Sequence, residues 1–300
     1  MTTTSTPNNS TGEQPPLAID SLATSFVGRD GTATEIVRGV SFTVGRGETL
    51  MLLGESGSGK SVTARSILRL YDKSAQITGS VRFNGVELLD TTESAMRGYR
   101  GSELALVPQD PTGALDPLRR IGAQLREVIL IHRQEGTKRA ADRLALELLD
   151  QVGITDPRRV FHSFPHELSG GMRQRAVIAI AISCRPQVLI ADEPTTALDV
   201  TVQAQILDLI ANLRRDTGMA VLMVTHDVGV AADYGDHVAV MYAGRIVESG
   251  IAHQVLTHPT EKYTAGLLAA QPRPGIRRGE LPTMAGWTCG PDGFPTESVA

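Results

Sequence analysis

Gly54-Glu55-Ser56-Gly57-Ser58-Gly59-Lys60-Ser61 has the residue types and spacing to grip a triphosphate. It fits G-x-x-x-x-G-K-[ST], whose glycines let successive backbone N–H groups curl around phosphate oxygens. The Lys60 ammonium would reach the β- and γ-phosphates, and the Ser61 hydroxyl would ligate Mg²⁺. A helix leaving the loop would aim its positive N-terminus at the same anion. A Gly/Ser turn ahead of a helix is the plainer alternative. The flanks weigh against it, with an apolar run, Thr49 to Leu53, leading in and a helical pattern, Val62 to Leu70, leading out.

Four more positions carry chemistry that suits a bound triphosphate. Asp192 ends the apolar run Val188 to Ala191 and fits the acid that holds Mg²⁺ through its water shell. Glu193 beside it could take a proton from an attacking water; capping of a helix is the other use for such a pair, and Pro194 argues against it. His226, after a second apolar run, could contact the γ-phosphate and position the water. Gln109, after a third, is suited to sensing Mg²⁺ or water. Phe26 could stack on an adenine ring or pack in the core, and its sequence context does not separate the two. Leu168-Ser169-Gly170-Gly171-Met172-Arg173-Gln174-Arg175 is different. Its glycines open a helix and make a second anion site of the same physical type. One nucleotide does not need two such sites on one chain. This one is expected to serve a nucleotide on another subunit, in a head-to-tail pair that sandwiches two ATP molecules and completes each site in trans.

The elements that must position these residues follow from periodicity. Strands are expected from Leu17 to Val44 around a Gly28-Arg29-Asp30-Gly31 turn, with apolar positions at Ile36, Val40, Phe42 and Val44. A hairpin is expected from Gly79 to Glu87 with its turn at Asn84-Gly85, then a strand from Glu103 to Val107. From Asp110 to Arg185 the pattern is helical, at Ile121 to His132, Thr137 to Val152 and Met172 to Cys184. Strand–helix alternation then resumes: Val188 to Ala191, a helix from an Asp199 N-cap to Thr217 stopped by Gly218, the strand Ala220 to Val224, a short helix, and a hairpin from Val238 to Glu248 turning at Ala243-Gly244. Such alternation implies a mostly parallel sheet covered by helices, with the ligand at the carboxyl ends of the strands. The helical block reads as a subdomain inserted at about 110–185.

Composition sets outer limits. The 300 residues are 41% hydrophobic, enough for a large core, and a net charge of −4 with a pI near 6.0 gives no electrostatic footprint for nucleic acid. No apolar run approaches bilayer-spanning length. Residues 1–16, rich in Thr, Ser, Asn and Pro, lack the features of a signal peptide and read as a disordered leader. Two cysteines, Cys184 and Cys289, provide neither a disulfide framework nor metal-ligand spacing.

Taken together, Gly54 to Ser61, Gln109, Leu168 to Gln174, Val188 to Glu193, Ala197-Leu198-Asp199 and His226 resemble the full motif set of an ABC-type ATPase, in order and spacing. In that family's terms they are the Walker A, Q-loop, signature, Walker B, D-loop and switch-histidine positions. The resemblance covers about Leu17 to Gly250. It implies an α/β fold of P-loop type, a RecA-like core with an antiparallel β-subdomain and an inserted α-helical subdomain, followed by a C-terminal extension over 251–300. It implies ATP and Mg²⁺ as cofactors. Glu193, His226 and Gln109 would act in hydrolysis, and Ser61, Gln109 and Asp192 at the metal. Phe26, the whole loop from Gly54 to Ser61, Ser169, Gly170, Gly171 and Asp199 would bind nucleotide.

A finer resemblance is to the ATPase subunits of oligopeptide and dipeptide importers. Gln109-Asp110-Pro111-Thr112-Gly113-Ala114-Leu115-Asp116-Pro117-Leu118-Arg119-Arg120-Ile121-Gly122 is similar to the stretch after the Q-loop in that group. Phe164-Pro165-His166-Glu167-Leu168 and His258-Pro259, Tyr263-Thr264, Leu267-Leu268 and Leu281-Pro282-Thr283 are similar too. This resemblance implies a peripheral subunit on the cytoplasmic face of the cell membrane. It would pair with a second ATPase, itself or a paralogue, beneath two permeases fed by an extracellular solute-binding protein. Some members hold an iron–sulfur cluster in a cysteine-rich tail; the single tail cysteine, Cys289, argues for none here. The exposed loop Asp110 to Pro117, with Leu115 and Leu118, is the expected permease dock, the alternative being that these leucines pack inward. Nickel chelates or glutathione-like compounds are alternative cargoes. A soluble ABC ATPase of DNA repair or translation is disfavoured by the short span from Lys60 to Asp192 and by the single ATPase unit. A P-loop kinase or GTPase would have no use for Ser169-Gly170-Gly171.

Overall fold

The computed structural model describes residues 14–133, 136–196, 198–270, 287–289 and 295–297. The chain divides into two compact units, Met1–Asp90 with Leu222–Ala300, and Thr91–Val221. Most of the expected leader, residues 1–13, and Ala197 of the expected D-loop lie outside the described residues.

The first unit begins with an antiparallel sheet in the order β2-β1-β4-β5. Strand β1 (Leu17–Val27) pairs with β2 (Ala33–Val44) on one side and β4 (Ala75–Phe83) on the other. The buried positions of β1 run Leu17, Ile19, then Leu22 and Thr24, so the period of two skips a residue. A bulge absorbs the skip: register shifts between Ile19 and Leu22, and Ser21 takes a positive φ of 51°. The facing Gly79 has φ 100°, and a Cβ there would stand 2.4 Å from the Ser21 carbonyl oxygen. That is why apolar alternation across this region is only partial in the sequence.

β3 (Thr49–Leu53), buried along its whole length, leads into α1 (Lys60–Ile67). The helix starts two residues earlier than its apolar spacing suggests, because Lys60 and Ser61 belong to its first turn. β4 and β5 (Val86–Glu87) turn at Asn84 and Gly85, both at positive φ, as a two-residue primed turn requires.

The second unit opens with a helix that the apolar pattern did not reveal, α2 (Glu93–Tyr99), capped by the Thr92 hydroxyl accepting from the Ala95 N–H at 3.2 Å. β6 (Leu104–Val107) follows. The Asp110 carboxylate then accepts from the N–H groups of Thr112 (2.8 Å) and Gly113 (3.0 Å) and starts the short α3 (Pro111–Ala114). Next come α4 (Ile121–Arg133), α5 (Lys138–Gln151) capped by Thr137, α6 (Pro157–His162) capped by Asp156, and a 3₁₀ turn at Pro165–Glu167. α7 (Gly170–Ile182), β7 (Val188–Asp192) and α8 (Val200–Thr217) complete the unit, α8 ending on Gly218 in the left-handed region. β6 and β7 run parallel in the register Leu104↔Val188 to Val107↔Ala191.

The chain passes back to the first unit through β8 (Ala220–Thr225), and β3 lies between this strand and β9 (His237–Tyr242). α9 (Val228–Tyr234) precedes β9, which runs parallel to β3 and antiparallel to β10 (Arg245–Ile251). α10 (Ala252–Thr257) and α11 (Lys262–Ala269) pack after it, and β11 (Trp287–Cys289) pairs with β12 (Pro295–Glu297) in a small ribbon. Among the described residues no helix is long and apolar enough to cross a membrane.

Candidate functional site

In the first unit the phosphate loop leaves the carboxyl end of β3 and closes over the end of β9. A Cβ on Gly54 would stand 2.2 Å from the Met241 carbonyl oxygen, so only glycine lets the loop backbone lie on that strand. Gly57 and Gly59 sit at φ 83° and 105°. Lys60 is 4% exposed, and its ammonium donates to the carbonyl oxygens of Gly54 and Glu55, both at 2.8 Å. The cation is thereby held inside the curl of the loop. α1 begins directly after the loop with no side-chain cap hydrogen bond, and a helix N-terminus is the end that favours an anion. A phosphate chain fits this donor set.

His226 follows β8 and is exposed; Asp227 next to it caps α9, accepting from the N–H groups of Gly229 (2.8 Å) and Val230 (3.2 Å). Phe26 is half-buried near the end of β1. Its ring meets the edge of Tyr71 at a centroid distance of 4.9 Å and an interplanar angle of 89°. The sequence did not single out Tyr71, and with it Phe26 forms an aromatic pair.

In the second unit the parallel register of β6 and β7 brings two expected residues together. Val107 stands beside Ala191, and two positions further on, just past the ends of the two strands, lie Gln109 and Glu193. The Gln109 amide donates to Glu193 Oε2 at 2.9 Å, and the Thr196 hydroxyl donates to the same oxygen at 2.9 Å. Thr196 was not expected at the site; its position three residues after Glu193 is the only sequence trace of that role. Glu193 has φ 47°, a conformation that costs a non-glycine residue about 1–3 kcal/mol and clusters at functional sites. Asp192 is fully buried at the end of β7. A carboxylate aimed by two donors is arranged to accept a proton in one direction.

Ser169 caps α7, its hydroxyl accepting from the Met172 N–H at 3.3 Å, and Gly170 and Gly171 form the first turn. The two glycines differ. A Cβ on Gly171 would meet Val202 Cγ1 at 2.7 Å, whereas one on Gly170 would meet only Leu198 Cδ2, at an ordinary 3.5 Å. Gly171 is therefore constrained by the packing of α7 on α8, whereas among the described residues nothing crowds a side chain at Gly170. The start of α7 is braced by Arg173, which donates to the Pro165 carbonyl (3.0 Å) and the Thr112 hydroxyl (3.2 Å). Asp199 caps α8, accepting from the Val202 N–H at 3.0 Å. Leu115 and Leu118, expected either to line the dock or to pack inward, part company. Leu115 is 2% exposed and Leu118 is 85% exposed, because Gln124 folds the turn back by accepting from Asp116 N–H and donating to the carbonyls of Asp116 and Arg119.

Comparison with known proteins places the chain in a family. Residues 37–196 match the ABC transporter family model. A dipeptide transport ATP-binding protein of Bacillus subtilis is 46% identical over 272 residues, covering 90% of this chain and 81% of the relative. A putative peptide import ATP-binding protein of Brucella abortus is 49% identical over 298 residues, covering 94% and 87%. An oligopeptide transport ATP-binding protein of Mycobacterium tuberculosis is 49% identical over 265 residues; these are 88% of this chain but 43% of that protein, so the chain spans less than half of that relative. Among solved structures, a dimeric ATP-binding cassette in a post-hydrolysis state bound to ADP and Pi superposes with a TM-score of 0.70 at 25% identity, covering 79% of this chain and 98% of that one. With the family model matched across the phosphate loop and up to Thr196, and relatives matched over most of their length, the chain belongs to the ATP-binding proteins of the ABC transporter family.

Proposed function

We propose that the chain binds and hydrolyses MgATP to drive import of dipeptides or oligopeptides, working at the cytoplasmic face of the cell membrane. The observation that carries the transport reading is the 46% identity running through 90% of this chain and 81% of a dipeptide transport ATP-binding protein. The loop from Gly54 to Ser61 cradles the phosphates, with Lys60 on the β- and γ-phosphates. Ser61, Asp192 and Gln109 serve Mg²⁺, which supplies charge neutralisation on the phosphates when bound. Glu193, aimed by Gln109 and Thr196, takes the proton of the attacking water, and His226 orients that water.

Ser169, Gly170, Gly171 and Asp199 serve a nucleotide held by a second ATPase subunit, a copy of this chain or a paralogue, in a head-to-tail pair. Gly170 supports this: among the described residues a Cβ there would meet only Leu198 Cδ2, at an ordinary 3.5 Å. Two permease subunits and, through them, a solute-binding protein complete the system. Deleting the gene should abolish uptake of labelled di- or oligopeptides by the cell, with uptake restored by the parent gene. Uptake of peptides at the parent rate, with loss of a nickel chelate or a glutathione-like compound instead, would replace the peptide reading.

A further inference from the structure

The Ala243-Gly244 turn between β9 and β10 takes no part in the nucleotide chemistry, yet it is wedged between the phosphate loop and β2. Tyr242 pairs with Arg245 across it, and both its residues take positive φ, 45° at Ala243 and 85° at Gly244, the geometry of a two-residue primed turn. Gly244 is buried and faces two ways. Its N–H donates to the Ser58 carbonyl of the phosphate loop at 2.9 Å, and its carbonyl accepts from the Arg38 N–H of β2 at 2.8 Å. The Arg245 guanidinium adds a second tie to β2, donating to the Arg38 carbonyl at 3.3 Å.

This junction leaves no space for side chains. A Cβ on Gly244 would stand 2.3 Å from the Ile36 carbonyl oxygen. One on Gly59 would stand 3.1 Å from that same oxygen and 3.6 Å from the Gly244 Cα. Strand, turn and loop therefore meet backbone to backbone. Within the loop the Ser58 N–H donates to the Glu55 carbonyl (3.2 Å), and that oxygen also accepts from the Lys60 ammonium (2.8 Å). Hydrogen bonds thus run from Arg38 through Gly244 and Ser58 to Glu55 and Lys60.

We propose that Gly244 is a positioning residue for the nucleotide site: pinned on β2, it holds Ser58, and through Glu55 the Lys60 ammonium, in the shape that receives phosphate. A loop ordered before binding loses less entropy when the ligand arrives, so the brace is read in affinity. Coupling of this kind is reciprocal: the factor by which the turn improves ATP affinity is the factor by which ATP stabilises the Gly244–Ser58 hydrogen bond. The inference rests on the reading that this loop binds ATP.

Both directions are measurable in the full chain with MgATP, well below the melting temperatures of all variants. Gly244→Ala cannot seat its methyl group beside Ile36, so the turn must shift. Kd for ATP by calorimetry should then rise about fivefold, the worth of one hydrogen bond. Gly47→Ala is the control. Gly47 shares the left-handed region at φ 69° but has open space where a side chain would go, so this variant should lose stability with Kd unchanged. In the parent chain, saturating ATP should slow amide hydrogen exchange at Gly244 by about the same fivefold factor beyond any slowing at Glu48, whose N–H donates to Gly45 in the turn before β3. A parent-like Kd in folded Gly244→Ala overturns the proposal, as does an equal rise in Gly47→Ala, or exchange at Gly244 that ATP slows no more than at Glu48. Where Gly244→Ala does not fold, the exchange measurement on the parent decides. Failure of the parent chain to bind ATP would instead remove the reading beneath it.

Discussion

Glu193 joins a strained backbone to two converging donors, and each of these can be probed without disturbing the core. Its φ is 47°, and Gln109 and Thr196 hold one carboxylate oxygen. Glu193→Gln preserves shape and still offers an oxygen to both donors, but an amide cannot take a proton at neutral pH. ATP binding should survive while phosphate release slows by about 10²–10⁴-fold, the usual range for loss of a general base. Hydrolysis at the parent rate would show that the proton goes elsewhere.

The packing of α7 on α8 separates two adjacent glycines that look equivalent as letters. Gly171 has Val202 in the space of its absent side chain, so Gly171→Ala must push α7 and α8 apart and should lower stability by about 1–3 kcal/mol, seen in thermal or urea unfolding. Gly170 has room within the chain. Gly170→Asp should leave unfolding and single-subunit ATP binding close to the parent, yet abolish hydrolysis by the paired ATPases, since a carboxylate would face the partner's γ-phosphate. If Gly170→Asp instead melted the isolated subunit or removed its ATP binding, the trans role of the signature helix would be lost.

For the whole molecule, the proposed function assigns coupling to a membrane partner to the loop between α3 and α4. Of its two leucines, only Leu118 presents an apolar side chain to solvent. Leu118→Glu should leave fold and ATP binding intact and uncouple ATP hydrolysis from peptide uptake, with a cysteine at 118 crosslinking to a permease in the assembled complex. Leu115→Glu should unfold the subunit, since it buries a charge without a partner. Parent-like uptake with Leu118→Glu would move the docking surface elsewhere.

The sequence by itself determined the features whose physics is local. The phosphate loop, the Asp199 cap, the Gly218 stop and the Asn84-Gly85 turn each answer backbone demands within a few residues, so spacing alone exposes them. Only the tertiary structure decided which of Leu115 and Leu118 turns inward, which of Gly170 and Gly171 is needed for packing, and that Thr196 joins Gln109 on Glu193. It alone placed the Ser21 bulge against Gly79, and the ring of Tyr263 against that of Tyr242. Those outcomes depend on which surfaces remain free once distant segments pack, and burial at that range leaves no period in the chain for a reader to find.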